Sequence, residues 1–254
     1  MNTTLPKKSI IVLLVITFFS AALYMFGIPF GLLAYDIPNK IPLTNVFYTV
    51  NTVFASLFAV IMTRIAVKGW LFHFSFKKLK YGIFGVGNIF LFGVAVITAI
   101  SCFFFAPLNR LPGIKEILVW VILYNLAVAV LEEILLRGLL MNTLCVAFNG
   151  RVMKAIIISS VIFGIGHIPG MLTESIVYIL LKVVGSTAVG ISLGIIFHKS
   201  KNLLSVTALH FLLNSSGSVA YYFSSSDDVY IVLFIWPVVM TAICIHYMVK
   251  YNKS

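Results

Sequence analysis

Acidic side chains are almost missing from this sequence: seven Asp and Glu stand among 254 residues, and charged residues of all kinds make up 10%. A soluble domain carries about 25% charged residues on its water-facing surface, so an ordinary soluble globule is excluded. Cysteine is scarce as well. Cys102, Cys145 and Cys244 are odd in number and sit in apolar stretches. They read as buried small hydrophobes rather than as a disulfide framework. No His-Glu-x-x-His occurs, so the usual sequence mark of a zinc peptidase is lacking. There is also no internal repeat, no low-complexity tract and no polar stretch long enough for a sizeable soluble domain.

What is present is length of apolar chain. Hydrophobic residues make up 61% and the mean hydropathy is +1.09. Such runs satisfy their backbone hydrogen bonds in lipid by forming helices, and each crossing takes about twenty residues. The expected fold is therefore all-α: a polytopic membrane protein of about eight transmembrane helices, forming a single membrane domain over 1–254. Spans are expected near 9–33, 44–67, 81–107, 114–148, 152–168, 172–198, 202–223 and 229–249. The first run follows Lys7-Lys8 like a secretory signal. It continues to Leu33 without a small-residue cleavage site, and is expected to be retained. The fourth is too long for a perpendicular crossing and is expected to tilt or emerge. Pro169-Gly170 should end the fifth. For the sixth, the preferred reading puts residues 171–182 at the interface and starts the span near Val183, which makes Lys182 interfacial. A longer span would put Lys182 in the membrane, within reach of Glu133.

The net charge of +11 invites a nucleic-acid reading, but the cations lie beside the spans. Of the 18 lysines and arginines, 13 fall on one side of an eight-span arrangement, in groups such as Lys7-Lys8, Lys77-Lys80 and Lys199-Lys201. Asp36, Glu116, Glu174, Asp227 and Asp228 all fall on the other side. This bias orients both termini to the cytoplasm of a cell membrane and makes nucleic acid an unneeded partner. The stretch Gly69–Lys80 mixes aromatics with lysines and reads as an interfacial segment in contact with membrane lipids.

Within the fourth run stand Glu132, Glu133 and Arg137. Each ionisable residue at the centre of a span costs roughly 2.5–3.5 kcal/mol on insertion scales, so these are functional candidates. Residues four apart share a helix face, which makes Glu133 and Arg137 neighbours, with the acid on the favourable N-terminal side. Glu132 points elsewhere and has no basic residue three or four positions away, an arrangement suited to proton transfer. The plain alternative is a set of packing polar groups in a transporter bundle.

Two further polar groups follow. His167 comes after Gly164 and Gly166, with Phe163 on its own helical face; a satisfied polar residue at a helix end is the plain reading. His210 and Asn214 point an imidazole and an amide at one place, suited to an oxyanion, a carbonyl or a metal, or to an interhelical hydrogen bond. At 1.5 Å per residue from the cytoplasmic ends, Glu132 and His167 each lie roughly 24 Å deep and His210 to Asn214 roughly 12–18 Å. Three helices thus place polar groups at similar depth, which points to one site inside the helix bundle. Gly190 and Gly194 form a small-residue face for helix packing.

In order, Glu132-Glu133-x-x-x-Arg137-Gly138, Ser159-x-x-x-Phe163-Gly164-x-x-His167, and Asn202-Leu203 with His210-x-x-x-Asn214 resemble the CAAX-protease and bacteriocin-processing family, also called the abortive-infection family. The resemblance covers a motif-bearing core of about 114–220. It implies an eight-helix membrane endopeptidase in which Glu132 and His167 activate water and His210 and Asn214 stabilise the oxyanion. Glu133, Arg137 and Phe163 would be supporting residues. It further implies a peptide or membrane-protein substrate. Short loops and richness in Ile, Phe, Lys and Asn look like a bacterial member, for which bacteriocin or pheromone processing, or self-immunity, is the expected role. No cofactor is favoured. The nearest alternative is a zinc site on His167, His210 and Glu132. A rhomboid-type serine site at Asn214-Ser215-Ser216-Gly217 wants glycine where Asn214 stands. A transporter or a non-cleaving peptide-binding protein is the non-enzymatic reading. Nothing in the sequence speaks to oligomeric state.

Overall fold

A backbone shielded from water must satisfy its N–H and C=O groups within its own segment, so apolar runs of this length become helices. A computed structural model of the chain describes residues 5–35, 41–70, 72–105, 114–168 and 176–223, together with 238–239, 241–242 and 245–246. All regular structure among them is helical: α1 (Lys7–Tyr35), α2 (Ile41–Ala66), α3 (Phe76–Lys80), α4 (Asn88–Phe105), α5 (Ile114–Glu133), α6 (Asn142–Ala147), α7 (Val152–Ile165), α8 (Ile176–Ser200) and α9 (Leu203–Phe223). Two π-helical stretches, Tyr81–Val86 and Ile134–Met141, precede α4 and α6.

Among the described residues, Lys7–Met25, Phe47–Ala66 and Ile176–Ser200 are each long and apolar enough to cross a membrane. A bent pair, Phe76–Val86 with Asn88–Val96, makes a fourth if taken as one span. α2 turns Val50, Phe54, Leu57, Ile61 and Ile65 outward, and α1 does the same with Ile11, Val15, Phe18 and Phe19. Apolar stripes of this extent suit a lipid surround, and the chain is a membrane protein. The expected span at 229–249 falls mostly outside the described residues, as do 169–175, with the expected stop at Pro169-Gly170, and most of the segment after Phe223.

The helices form two compact units, interleaved along the chain. Unit 1 comprises Met1–His73 and Arg110–Gly150, and so holds α1, α2, α5, α6 and the Ile134–Met141 stretch. Ala55 and Ala59, one turn apart and fully buried, let α2 approach its neighbours closely. Hydroxyls inside the helices bond back to their own chain: Thr17 to the Leu13 carbonyl at 2.8 Å, Ser20 to Ile16 at 2.7 Å and Thr63 to Ala59 at 2.7 Å. Asn51 reaches across to the Tyr24 carbonyl at 3.1 Å. The unit closes at Asn149 and Gly150, both at positive φ, where Gly150 N–H donates to Cys145 and Asn149 N–H to Val146. Those two bonds cap the carbonyls that α6 leaves open.

Unit 2 comprises Phe74–Asn109 and Arg151–Ser254. Its centre is the α7–α8 pair. A Cβ on Gly194 would come to 2.9 Å from Ile156, one on Gly190 to 2.8 Å from Ser160, and one on Gly164 would collide with Thr187. The pairing runs antiparallel, and the expected Gly190/Gly194 face is its contact surface. Thr241 docks on α8 by donating to the Ala188 carbonyl at 2.6 Å. The Tyr81–Val86 stretch and α4 pack on α9, where Gly82 faces Ser205 and Gly87 faces Leu209.

Three expected spans differ in detail. The run expected over 81–107 is broken at Gly87 by a 66° bend, and Tyr81–Val86 belongs to the limb that begins at Phe76. Hydropathy cannot register such a bend because the residues on both sides of Gly87, Tyr81–Val86 and α4, are apolar. The run expected over 114–148 contains the Ile134–Met141 π-helical stretch between α5 and α6. The sixth helix is continuous from Ile176, well before Val183, so Lys182 lies within a regular helix, its Nζ 5.7 Å from the Tyr178 ring centre.

Candidate active site

In unit 1, α5 ends at Glu133 and the chain continues as a wider π-helix whose residues, Ile134 to Met141, are all buried. π-helical insertions alter the regular backbone bonding and recur at functional sites. Here the Gly138 carbonyl accepts from Trp70 Nε1 and from Asn142 Nδ2, each at 3.2 Å. On this stretch Arg137 Nη1 lies 2.6 Å from Glu133 Oε1, with the two residues 2% and 0% exposed. This is the ion pair expected from their spacing. Glu132 is half-buried. In the same unit the hydroxyls of Tyr24 and Tyr124 lie 3.1 Å apart. The Tyr48 ring stands 6.0 Å from that of Tyr124, so tyrosines from α1, α2 and α5 gather at one place, about two turns before Glu132 along α5.

In unit 2, α7 ends at Ile165 and a tight turn over Gly166 and His167 follows, with His167 N–H donating to the Gly164 carbonyl at 3.0 Å. That turn aims the imidazole back along α7, so that Nδ1 lies 3.0 Å from the Phe163 carbonyl. A carbonyl oxygen only accepts. Nδ1 therefore carries a proton, and in the neutral ring Nε2 keeps its lone pair, the tautomer needed for a general base or a metal ligand. Phe163 meets His167 edge-on at 5.0 Å and His210 of α9 edge-on at 5.8 Å. The two imidazoles, far apart in sequence, thus share one phenyl ring. His210 is 2% exposed, and Asn214, one turn further along α9, is half-buried.

Asn202 sets where α9 begins. Lys201 takes a positive φ and its N–H closes on the Phe197 carbonyl at 2.8 Å, ending α8. Asn202 then accepts from Ser75 N–H at 2.9 Å and donates to Ser75 C=O at 3.0 Å and to Ser205 Oγ at 2.7 Å. The same side chain ties the Ser75 segment to the first turn of the helix that carries His210 and Asn214.

Glu132, Glu133 and Arg137 thus lie in unit 1, and Phe163, His167, His210 and Asn214 in unit 2. Within the units, Glu133 is brought to Arg137, and His167 and His210 to Phe163. Three contributors carried no role from sequence reading, Tyr24, Tyr124 and Trp70, while Asn202 stood in the third motif without a role of its own. Tyr124 stands about two turns before Glu132 on the same helix, a signal that spacing could have offered. Tyr24 and Trp70 come from other segments and left no local trace. Among the described residues there is no group of three or more His, Cys, Asp and Glu gathered as for a metal ion.

Fold and side chains together define a helical membrane protein with a buried acid–arginine pair and a paired-imidazole cluster. The family model described as Type II CAAX prenyl endopeptidase Rce1-like matches residues 114–216. Over that stretch, which begins in unit 1 and ends in unit 2, the resemblance to the CAAX-protease and bacteriocin-processing family is shown. The match points to a CAAX-type intramembrane protease. Neither a curated protein nor a solved structure matches the chain.

Proposed function

We propose that this chain is an intramembrane endopeptidase that cleaves a membrane-associated peptide or protein by metal-free activation of water. Glu132 and His167 serve as the activating base pair, and His210 and Asn214 donate to the oxygen of the tetrahedral intermediate. Glu133 and Arg137 hold the helix that carries Glu132, and Phe163 positions both imidazoles. The observation that carries this reading is the His167 Nδ1 to Phe163 carbonyl contact at 3.0 Å, which leaves Nε2 as a proton acceptor. The half-burial of Glu132 supports it further, since a carboxyl in partly apolar surroundings can take and return a proton. The proposal extends to eight spans, cytoplasmic termini in a bacterial cell membrane, and a role in bacteriocin or pheromone processing or in self-immunity.

The test is comparative mass spectrometry of membrane-associated peptides from cells with the wild-type chain and with Glu132→Ala. A peptide whose trimming disappears in the variant, with the variant present at normal level, identifies activity and substrate together. Identical peptide profiles from the two strains would count against an enzyme and for a peptide-binding role. Purified protein should keep its activity in the presence of a strong chelator. Loss on chelation, with recovery on adding zinc, would instead support a zinc site on His167, His210 and Glu132.

A further inference from the structure

One end of unit 2 collects cations from three separate stretches of chain. Because α7 and α8 are antiparallel, with Ile156 against Gly194 and Ser160 against Gly190, the start of α7 lies at the same end as the finish of α8. Arg151 and Lys154 therefore join Lys199 and Lys201. Asn202, next in the chain, grips both backbone groups of Ser75, and Ser75 caps α3 through the 3.3 Å bond from Lys78 N–H. That brings Lys77, Lys78 and Lys80, all exposed, to the same end. No acidic side chain occurs among the described residues of unit 2.

The surface is not merely basic. Phe76 is 83% exposed, and Phe74, Tyr81 and Phe84 are exposed beside it. Large aromatics interleaved with lysines suit the boundary between headgroups and acyl chains, where rings bury and ammonium groups reach phosphate. The bend supplies the orientation. Phe76–Val86 is turned by 66° from Asn88–Val96, so when the second limb crosses the bilayer, the first lies much closer to its plane. A nucleic acid would use the charge but gives no reason for the bend or for apolar rings set along the same limb.

We infer that this end of unit 2 is a docking surface for anionic phospholipid, whose phosphodiester groups are held by Lys77, Lys78 and Lys80 while Phe74 and Phe76 insert beside the acyl chains. Lys199, Lys201, Arg151 and Lys154 raise the local potential that draws such lipids in. Through Asn202 the bound segment is tied to the first turn of α9, so lipid occupancy fixes the start of that helix. The inference needs unit 2 to sit in a bilayer and does not rest on the peptidase reading.

The experiment uses the full chain reconstituted in nanodiscs of phosphatidylcholine with and without phosphatidylglycerol, followed by native mass spectrometry of retained lipid. Phosphatidylglycerol should be retained in preference to phosphatidylcholine, and the preference should fall about five-fold for each lysine replaced in Lys77→Gln, Lys78→Gln and Lys80→Gln. The corresponding Lys→Arg variants should keep it. Phe76→Ser, at a position exposed enough to leave folding alone, should weaken retention without any change of charge. Inorganic phosphate should not displace the lipid. Equal retention of both lipids, or an unchanged preference when all three lysines are glutamine, would overturn the proposal. So would displacement by inorganic phosphate, or tighter binding of a single-stranded RNA oligonucleotide than of the lipid.

Discussion

Arg137 Nη1 lies 2.6 Å from Oε1 of Glu133, one turn away, and both side chains are shut off from solvent. Removing one partner of such a pair leaves an uncompensated buried charge, which costs about 3–5 kcal/mol. Arg137→Ala should therefore lower the thermal unfolding temperature of the purified protein sharply. Glu133→Gln in the same chain should recover part of the loss. A double-mutant cycle showing simple additivity would mean that the pair is not coupled.

Phe163 touches both imidazoles edge-on, and each such aromatic contact is worth about 0.5–1.5 kcal/mol. Phe163→Leu keeps most of the volume and removes the ring, so stability should change little while turnover falls roughly ten-fold. Phe163→Ala also opens a cavity and should destabilise by about 3–5 kcal/mol. Equal turnover per folded molecule in Phe163→Leu and wild type would remove Phe163 from the site.

Glu132→Gln keeps size and hydrogen bonding but cannot take up a proton. Cleavage should vanish while the substrate still binds. Asn214→Ala should cut turnover by roughly 10²–10³ with little change in affinity, because the amide acts on charge that develops only during reaction. If Asn214 were an interhelical strut, its loss would show in unfolding temperature and leave turnover per folded molecule near normal. Full proteolysis by Glu132→Gln would sink the proposed mechanism.

The α7–α8 contact predicts a stability effect far from any chemistry. Gly190→Ala sets a methyl group 2.8 Å from Ser160 Cβ and 3.0 Å from its backbone Cα. Relief requires the helices to part, at a cost of about 1–3 kcal/mol. Thermal melts should show that loss, and Gly190→Leu should show a larger one. An unchanged melting temperature for Gly190→Leu would mean that the close approach is not maintained in the membrane.

Orientation is open to direct labelling. With single cysteines placed at Lys78 and Asp228, a membrane-impermeant thiol reagent applied to intact cells should modify the second and spare the first. Labelling of the Lys78 position from outside would reverse the topology drawn from the lysine and arginine bias.

The Glu133–Arg137 pair was legible in the sequence because a helix makes residues four apart into neighbours whatever surrounds it. The small-residue face at Gly190 and Gly194 was legible for the same reason, as was the helical character of the apolar runs. The partners of those features were not legible. Tyr24 and Tyr124 are 100 positions apart and Ser75 and Asn202 are 127 apart. Nothing local selects one apolar helix over another as neighbour. The shared contact of His167 and His210 with Phe163 needs α7 and α9 to meet at one height, which packing decides. The bend at Gly87 likewise leaves no mark in hydropathy, since the residues on both sides of it are apolar and the partners of Gly82 and Gly87, Ser205 and Leu209, lie far along the chain. Sequence by itself determined the helices, their apolar character and the pairs closed within one turn, because those depend on backbone periodicity and solvent preference alone. Tertiary structure decided which helices pair, where they bend and which side chains meet, because these follow from the shapes of surfaces that hydropathy treats as equal.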